Sequence, residues 1–169
     1  MKSAVLVLAL ALCSCGYHVA GRANLLPASL HSIAVMPFYN VSTQYKVADA
    51  LTKSVARELI SRTRYQVNAD PEHADAVLTG SVNNFSSYAT TFDPVTGRAS
   101  GVQAVLQLQV TLRERATGKV LFTRPSMEVH ERYEISVDPK AYFDESSVAV
   151  DRLARDVARS VVSAVLENF

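Results

Sequence analysis

Two thiols, Cys13 and Cys15, are the residues of this chain best placed to do chemistry; they close an apolar run from Ala4 to Leu12. They are its only cysteines. The four histidines, His18, His31, His73 and His130, are scattered, and no two stand at the three- or four-residue spacing that a local metal site favours. Glycine-rich phosphate loops, HExxH and GxSxG are missing, so the usual phosphate, zinc and serine-nucleophile signals are too. The carboxylate pairs Asp144-Glu145 and Glu131/Glu134 read as a helix cap and as dressing of an exposed strand face. No catalytic or metal-ligating residue is nominated, and no cofactor is expected.

The thiols gain meaning from what precedes them. Lys2 gives a positive start, the apolar run is too short to span a bilayer, and small Ser14 precedes Cys15. A charged start, an apolar stretch and a small residue at the cut form the pattern of an export signal. With Leu12 at −3 and Ser14 at −1, the site resembles the lipobox of bacterial lipoproteins. Cys13 fits less well, because bulky Leu12 would occupy the −1 pocket. The resemblance implies that residues 1–14 are a signal peptide and that Cys15 becomes the N-terminus, carrying a diacylglyceryl thioether and an N-acyl chain. A single acyl chain binds a bilayer at only about 10⁴ M⁻¹, so a triacylated cysteine supplies the stable anchor. No later apolar run is long enough for a membrane helix.

The full chain holds 17 basic and 16 acidic residues, and cleavage would remove only Lys2. The resulting balance argues against nucleic acid as a partner, since such binding rests on a basic excess. With Cys15 acylated, the domain has no disulfide and needs an ordinary apolar core, which 49% hydrophobic residues can build.

Residues 15–30 read as a lipidated tether and 31–169 as one domain. Ser32 to Phe38 is a short apolar strand ending at Pro37, and Asn40-Val-Ser-Thr43 offers helix N-caps. Val47, Leu51, Val55 and Leu59 predict an amphipathic helix over about 45–62. A strand around 65–68 and a polar turn at 70–75 follow. Three long strands come next, over 76–90, 101–115 and 120–134, joined by turns at Asp93 to Gly97 and Ala116 to Lys119. In the first, Val82, Asn84, Ser86 and Tyr88 share a parity. In the second, Val102, Ala104, Leu106, Leu108, Val110 and Leu112 define the buried face. A final helix starts at Asp144 or Ser146 and runs to about 167, with an apolar stripe through Leu153, Val157 and Val161. The order β-α-β-β-β-β-α predicts an α+β domain: a mixed, mostly antiparallel sheet of four to five strands with two helices on one face.

Two surfaces invite a binding reading. Gln103, Gln107, Gln109 and Arg113, with Tyr88, Asn84 and Asn83 nearby, make a polar strand face. It suits plain solvated sheet, pairing with a partner strand, or the lining of a polar cavity. The loop from Thr90 to Gly101 carries Arg98, suited either to an ordinary loop tip or to contact with an anion.

The heptapeptide Cys15-Gly16-Tyr17-His18-Val19-Ala20-Gly21, together with the element order behind it, resembles the start and plan of the LptE family of lipopolysaccharide-assembly lipoproteins. The chain departs from some members in lacking a long polar C-terminal tail. The resemblance implies a non-catalytic outer-membrane lipoprotein on the periplasmic side, consistent with Gly16 beside the lipidated cysteine. Its implied partners are an LptD-like β-barrel, which it would plug and help assemble, and lipopolysaccharide itself. Arg98 matches by position the basic loop residues that meet the lipid's phosphates in the family, and Lys140, expected in the loop before the last helix, matches more weakly. A rival resemblance starts from Ile33 to Phe38 followed by Asn40 and Ser42. It points to lipoproteins that activate peptidoglycan synthases or build a curli-type secretion pore. A lipid-anchored hydrolase is a third reading and would need a polar cleft with a shifted carboxylate or histidine.

Overall fold

The computed structural model describes residues 26–134 and 139–167. Its strands are β1 (Ser32–Val35), β2 (Tyr39–Asn40), β3 (Gln66–Asn68), β4 (Ala76–Phe92), β5 (Ala99–Glu114) and β6 (Val120–Glu134). Helix α1 (Tyr45–Arg62) follows β2, and helix α2 (Pro139–Glu167) follows β6. One mixed sheet results, ordered β3-β1-β4-β5-β6, with β2 beside β4. The α+β class and the two helices are as the sequence predicts; the sixth strand is the two-residue β2.

Strand β1 is parallel to both β3 and β4, so α1 serves as the crossover between β1 and β3. Pro37 explains why β1 and β2 are separate: it has no N–H to give to β4. Met36 N–H still reaches Leu78 O at 3.0 Å and Val41 N–H reaches Val82 O at 2.9 Å, with the break between them. The Phe38 N–H is instead satisfied by Thr52 Oγ1 of α1 at 2.9 Å.

Helix α1 begins and ends where its four-residue apolar period does. Val47, Leu51, Val55 and Leu59 are all buried. The N-cap is Gln44, without a side-chain cap, rather than a residue of the 40–43 stretch. Asn40 instead folds the approach: its Oδ1 accepts from Ser42 N (2.9 Å) and Ser42 Oγ (2.7 Å), and its Nδ2 donates to Gln44 O (3.0 Å).

Helix α2 starts at Pro139, five residues before Asp144. Proline at the first helical position loses no hydrogen bond and has its φ already set. Asp144-Glu145 therefore lies inside the helix, not at its cap, and Lys140 falls in the first turn, not in a loop.

Both helices and one sheet face share a single core that includes Ile33, Leu51, Leu78, Leu106, Leu108 and Val157. Leu26 and Leu30, in the stretch read as tether, are buried in it too. On β5 the alternation from Val102 to Leu112 is realised residue by residue. On β4 it is not. Val82 pairs with Leu108 but Asn84 pairs with Gln107, so Asn83 is an extra residue and the parity flips there. Phe85, opposite Leu106, takes the inward position, and Val82 and Asn84 face opposite ways. A second bulge on β6 sets Pro125 and Ser126 between the pairs Leu108–Met127 and Val110–Arg124, where a missing N–H does no harm.

Candidate functional site

The sheet has two ends with different furniture. At the entry end, Asp75 ties the start of β1 to the start of β4. Its Oδ2 accepts from His31 N at 2.8 Å, Ser32 N at 3.0 Å and Ser32 Oγ at 3.0 Å. Ser32 Oγ in turn accepts from Asp75 N at 3.0 Å. The His31 backbone N–H, then the Ser32 hydroxyl, hold the Asp75 carboxyl below the usual aspartate range.

The far end carries the β4–β5 turn. Asp93 Oδ1 accepts from Val95 N (3.1 Å), Thr96 N (2.7 Å) and Thr96 Oγ1 (2.8 Å), and these bonds lower its carboxyl's pKa, those from Thr96 first. Gly97 supplies the positive φ of 68° that closes the turn. Beyond Phe85 the β4 arm is exposed from Ser86 to Phe92, and Val95 at the tip is 90% exposed. Arg98 is exposed at the base of this turn. Gly101, three residues on, pairs with Glu134 at the end of β6, and Lys140 follows in the first turn of α2. The fold thus puts the backbones of Arg98 and Lys140 at one end of the sheet, opposite the point where the described chain enters. Cys15 and the heptapeptide after it lie outside the described residues.

The polar strand face named from the sequence is the sheet face turned away from the helices. Gln107 Nε2 donates to Glu128 Oε2 at 2.9 Å, Glu128 Oε1 lies 2.7 Å from His130 Nε2, and Gln103 Nε2 lies 3.3 Å from His130 Nδ1. The Gln107 and His130 contacts lower the Glu128 pKa, Gln107 first. Thr111 and Thr123 hydroxyls meet at 3.1 Å one step further along. Strand β5 is flanked on both sides, but β4 is flanked by β1 and β2 only as far as Val82, so among the described residues a partner strand can add at β3, β6, β2 or the β4 arm beyond Val82.

Glu131 departs from its expected place on the exposed face. It pairs with buried Ala104 and so faces α2, where it lines a cleft of about 290 Å³ with Arg132, Glu134, Arg152, Leu153 and Asp156. Burial first, then Asp156, raises its pKa, against the pull of Arg159. Arg132 and Arg152 line the cleft beside the carboxylates Glu131, Glu134 and Asp156, and Asp156 pairs with Arg159. No group of three or more metal-ligating side chains exists among the described residues. Near the other histidines, His73 Nδ1 stands 2.7 Å from Asp70 Oδ2 and His31 Nδ1 stands 4.0 Å from Asp75 Oδ2, both pairs exposed or half-exposed. Among the described residues no helix is long and apolar enough to cross a membrane.

Solved structures with this architecture include the rare lipoprotein B from Shewanella oneidensis, with a TM-score of 0.52 at 13% identity over 81% of this chain and 96% of that one. A protein from Xanthomonas campestris matches with a TM-score of 0.51 at 16% identity, covering 85% and 90%. The PelC dodecamer from Paraburkholderia phytofirmans matches with 0.50 at 16% identity, covering 80% and 88%. At such identities the likeness is one of fold alone. No curated protein matches the chain in sequence. The family model described as LptE, lipopolysaccharide-assembly, matches residues 30–165, from the last turn before β1 almost to the end of α2. A match over nearly the whole domain settles the family, and the chain belongs to LptE.

Proposed function

We propose that the protein is a periplasm-facing, lipid-anchored component of the outer membrane. It plugs an LptD-like translocon barrel, assists that barrel's assembly and aids insertion of lipopolysaccharide. The observation that carries this reading is the family match across residues 30–165. The structure supplies a rigid body suited to it, with one continuous core and a polar, internally bonded sheet face. A barrel lumen is polar, and such a face suits that lining. No chemical step is invoked: the domain acts by filling space and offering contacts. Affinity purification from solubilised envelopes tests the reading. Recovery of a large heat-modifiable barrel protein, and loss of surface lipopolysaccharide on depletion, are the expected results. Recovery of a peptidoglycan synthase or of a high-order ring, with surface lipopolysaccharide unchanged, overturns it.

Within that role, Arg98 and Lys140 contact the phosphorylated glucosamines of lipopolysaccharide at the end of the sheet away from the start of β1. Guanidinium and ammonium groups suit phosphate by charge and by hydrogen bonding. Arg98→Asp combined with Lys140→Asp weakens lipopolysaccharide binding and leaves barrel co-purification intact. Unchanged binding removes the ligand site while the plug role stands.

A further inference from the structure

Strand β4 has an edge that the described chain fills only in part. On the side away from β5, β1 pairs with Ala76, Val77 and Leu78, and β2 pairs with Ser81 and Val82. The last bond to this edge among the described residues is Val41 N–H to Val82 O at 2.9 Å. Asn40 then turns the chain toward α1 by accepting from Ser42 and donating to Gln44 O. Strand β4 runs on to Phe92 paired with β5 alone. Between bulges at Asn83 and Thr90 its register is regular, from Asn84 opposite Gln107 to Ala89 opposite Val102. Alternate residues of an antiparallel pair turn N–H and C=O away from the partner, so this stretch offers a row of backbone groups to solvent.

Sheet edges are commonly guarded by shortness, charge, proline or bulges. The other edges here are guarded. Strand β3 has three residues and β2 two, while β6 carries Arg124, Glu128, Glu131, Arg132 and Glu134 and a bulge at Pro125. From Asn83 to Phe92 there is no charged residue and no proline. Phe85, Tyr88, Thr90, Thr91 and Phe92 are instead types that favour a pleated strand. The two bulges frame the regular stretch and do not interrupt it. Tyr88 is 53% exposed and Phe92 60%, and Tyr39 and Val41, at 71% and 63%, stand where β2 leaves the edge. A long neutral edge bordered by exposed apolar side chains has the features of a strand-pairing site.

We propose that the β4 edge from Asn84 to Ala89 takes up an extended, uncharged segment of the barrel protein as an added strand, in line with β2. This rests on the plug role proposed above and names the atoms through which the plug is held. Main-chain hydrogen bonds supply the attachment, and side chains of the added strand alternate between the two faces. On one face they meet Asn84, Ser86 and Tyr88, on the side of Gln107 and Gln103. On the other they meet Phe85, Ser87 and Ala89, on the side of buried Leu106, Ala104 and Val102. Two features select the occupant. The edge is continuous with the polar sheet face that suits a barrel lumen, and its neutrality offers an incoming charge no partner. The wall strands of a closed barrel are paired on both sides, so the segment is a loop folded into the lumen.

The test uses the full chain in cells that hold the barrel, with the photo-crosslinker benzoylphenylalanine in place of Tyr88. Light is expected to join this position to the barrel protein at a peptide lying between two wall strands. In the purified complex, amide exchange from Asn84 to Ala89 is expected to be slower than in the free chain. Ser87→Lys, at an exposed side chain, sets a charge on the inward face of the edge and is expected to cut the adduct about tenfold while the barrel still co-purifies. An adduct within a wall strand, with a second copy or with residues 15–25 of the same chain overturns the proposal, as does an adduct unmoved by Ser87→Lys. Co-purification of the barrel with no adduct and no slowing of exchange overturns it and leaves the plug role standing. Absence of the barrel from the purified protein removes both.

Discussion

The ring of Phe38 lies against the backbone of Gly80 so closely that a Cβ built on Gly80 would stand 2.6 Å from Phe38 Cδ1 and 2.7 Å from Cζ. Phe38 follows the proline that separates β1 from β2, and Gly80 sits on β4 between the segments those two strands pair with. The missing side chain on β4 is the space into which the strand break folds its aromatic residue. Gly80→Ala therefore destabilises the domain by about 1–3 kcal/mol through overpacking. Phe38→Leu in the same chain recovers part of that loss. A double-mutant cycle by urea denaturation gives the coupling, and additive effects would refute the close packing.

Leu106 and Gln107 are neighbours on β5 that face opposite ways. Leu106→Ala opens a hole in the core and costs about 2–5 kcal/mol. Gln107→Ala costs no more than about 0.5 kcal/mol, because its partner Glu128 stays solvated. Equal costs at the two positions would contradict the assignment of the sheet faces.

Acid weakens the tie at the entry end. The Asp75 pKa is lowered from 3.8 in the native state, so its contribution is fully present above that value and fades as pH falls through the lower native value. Asp75→Asn is less stable at neutral pH, and its unfolding midpoint changes less between pH 5 and strong acid. A slope identical to that of the unsubstituted protein would rule out Asp75 as a source of acid sensitivity.

Glu131 has the opposite sign. Its native pKa is raised above 4.5, so the native state holds a proton that the unfolded chain releases, and stability declines as pH rises through that window. Glu131→Gln is more stable than the unsubstituted protein at neutral pH, and the difference closes below the ordinary glutamate value. Urea midpoints at neutral and acid pH check this; a less stable variant at neutral pH refutes it.

Cys15 is the residue expected to carry the lipid. Cys15→Ala abolishes incorporation of labelled palmitate in cells, whereas Cys13→Ala leaves it intact. Labelling that follows Cys13 would move the cleavage site and the mature N-terminus.

Much of this domain was legible in its sequence. Helix α1 could be read over residues 45–62 because Val47, Leu51, Val55 and Leu59 recur at helical spacing and the same local geometry buries them. The buried face of β5 was readable for the same reason at period two, and the turn at Gly97 because only glycine takes its φ cheaply. The family was visible in the residues after Cys15 together with the element order. The start of α2 was missed because Asp144 and Ser146 look like caps, while the helix opens earlier, at Pro139, whose fixed φ suits the first helical position.

Other features were fixed only by contacts between residues far apart in the chain. Periodicity places a side chain on a face, yet one extra residue reverses the faces that follow, as Asn83 does on β4 from Asn84 to Ala89. Which strands become edges, why Glu131 meets Asp156 across a cleft, and why Arg98 and Lys140 share one end of the sheet all follow from strand order. That order is selected by burying one common core, to which Leu26, Leu51, Leu106 and Val157 contribute from separate elements. A local window along the chain contains the propensity of each element; only the folded whole contains the surface that each must share.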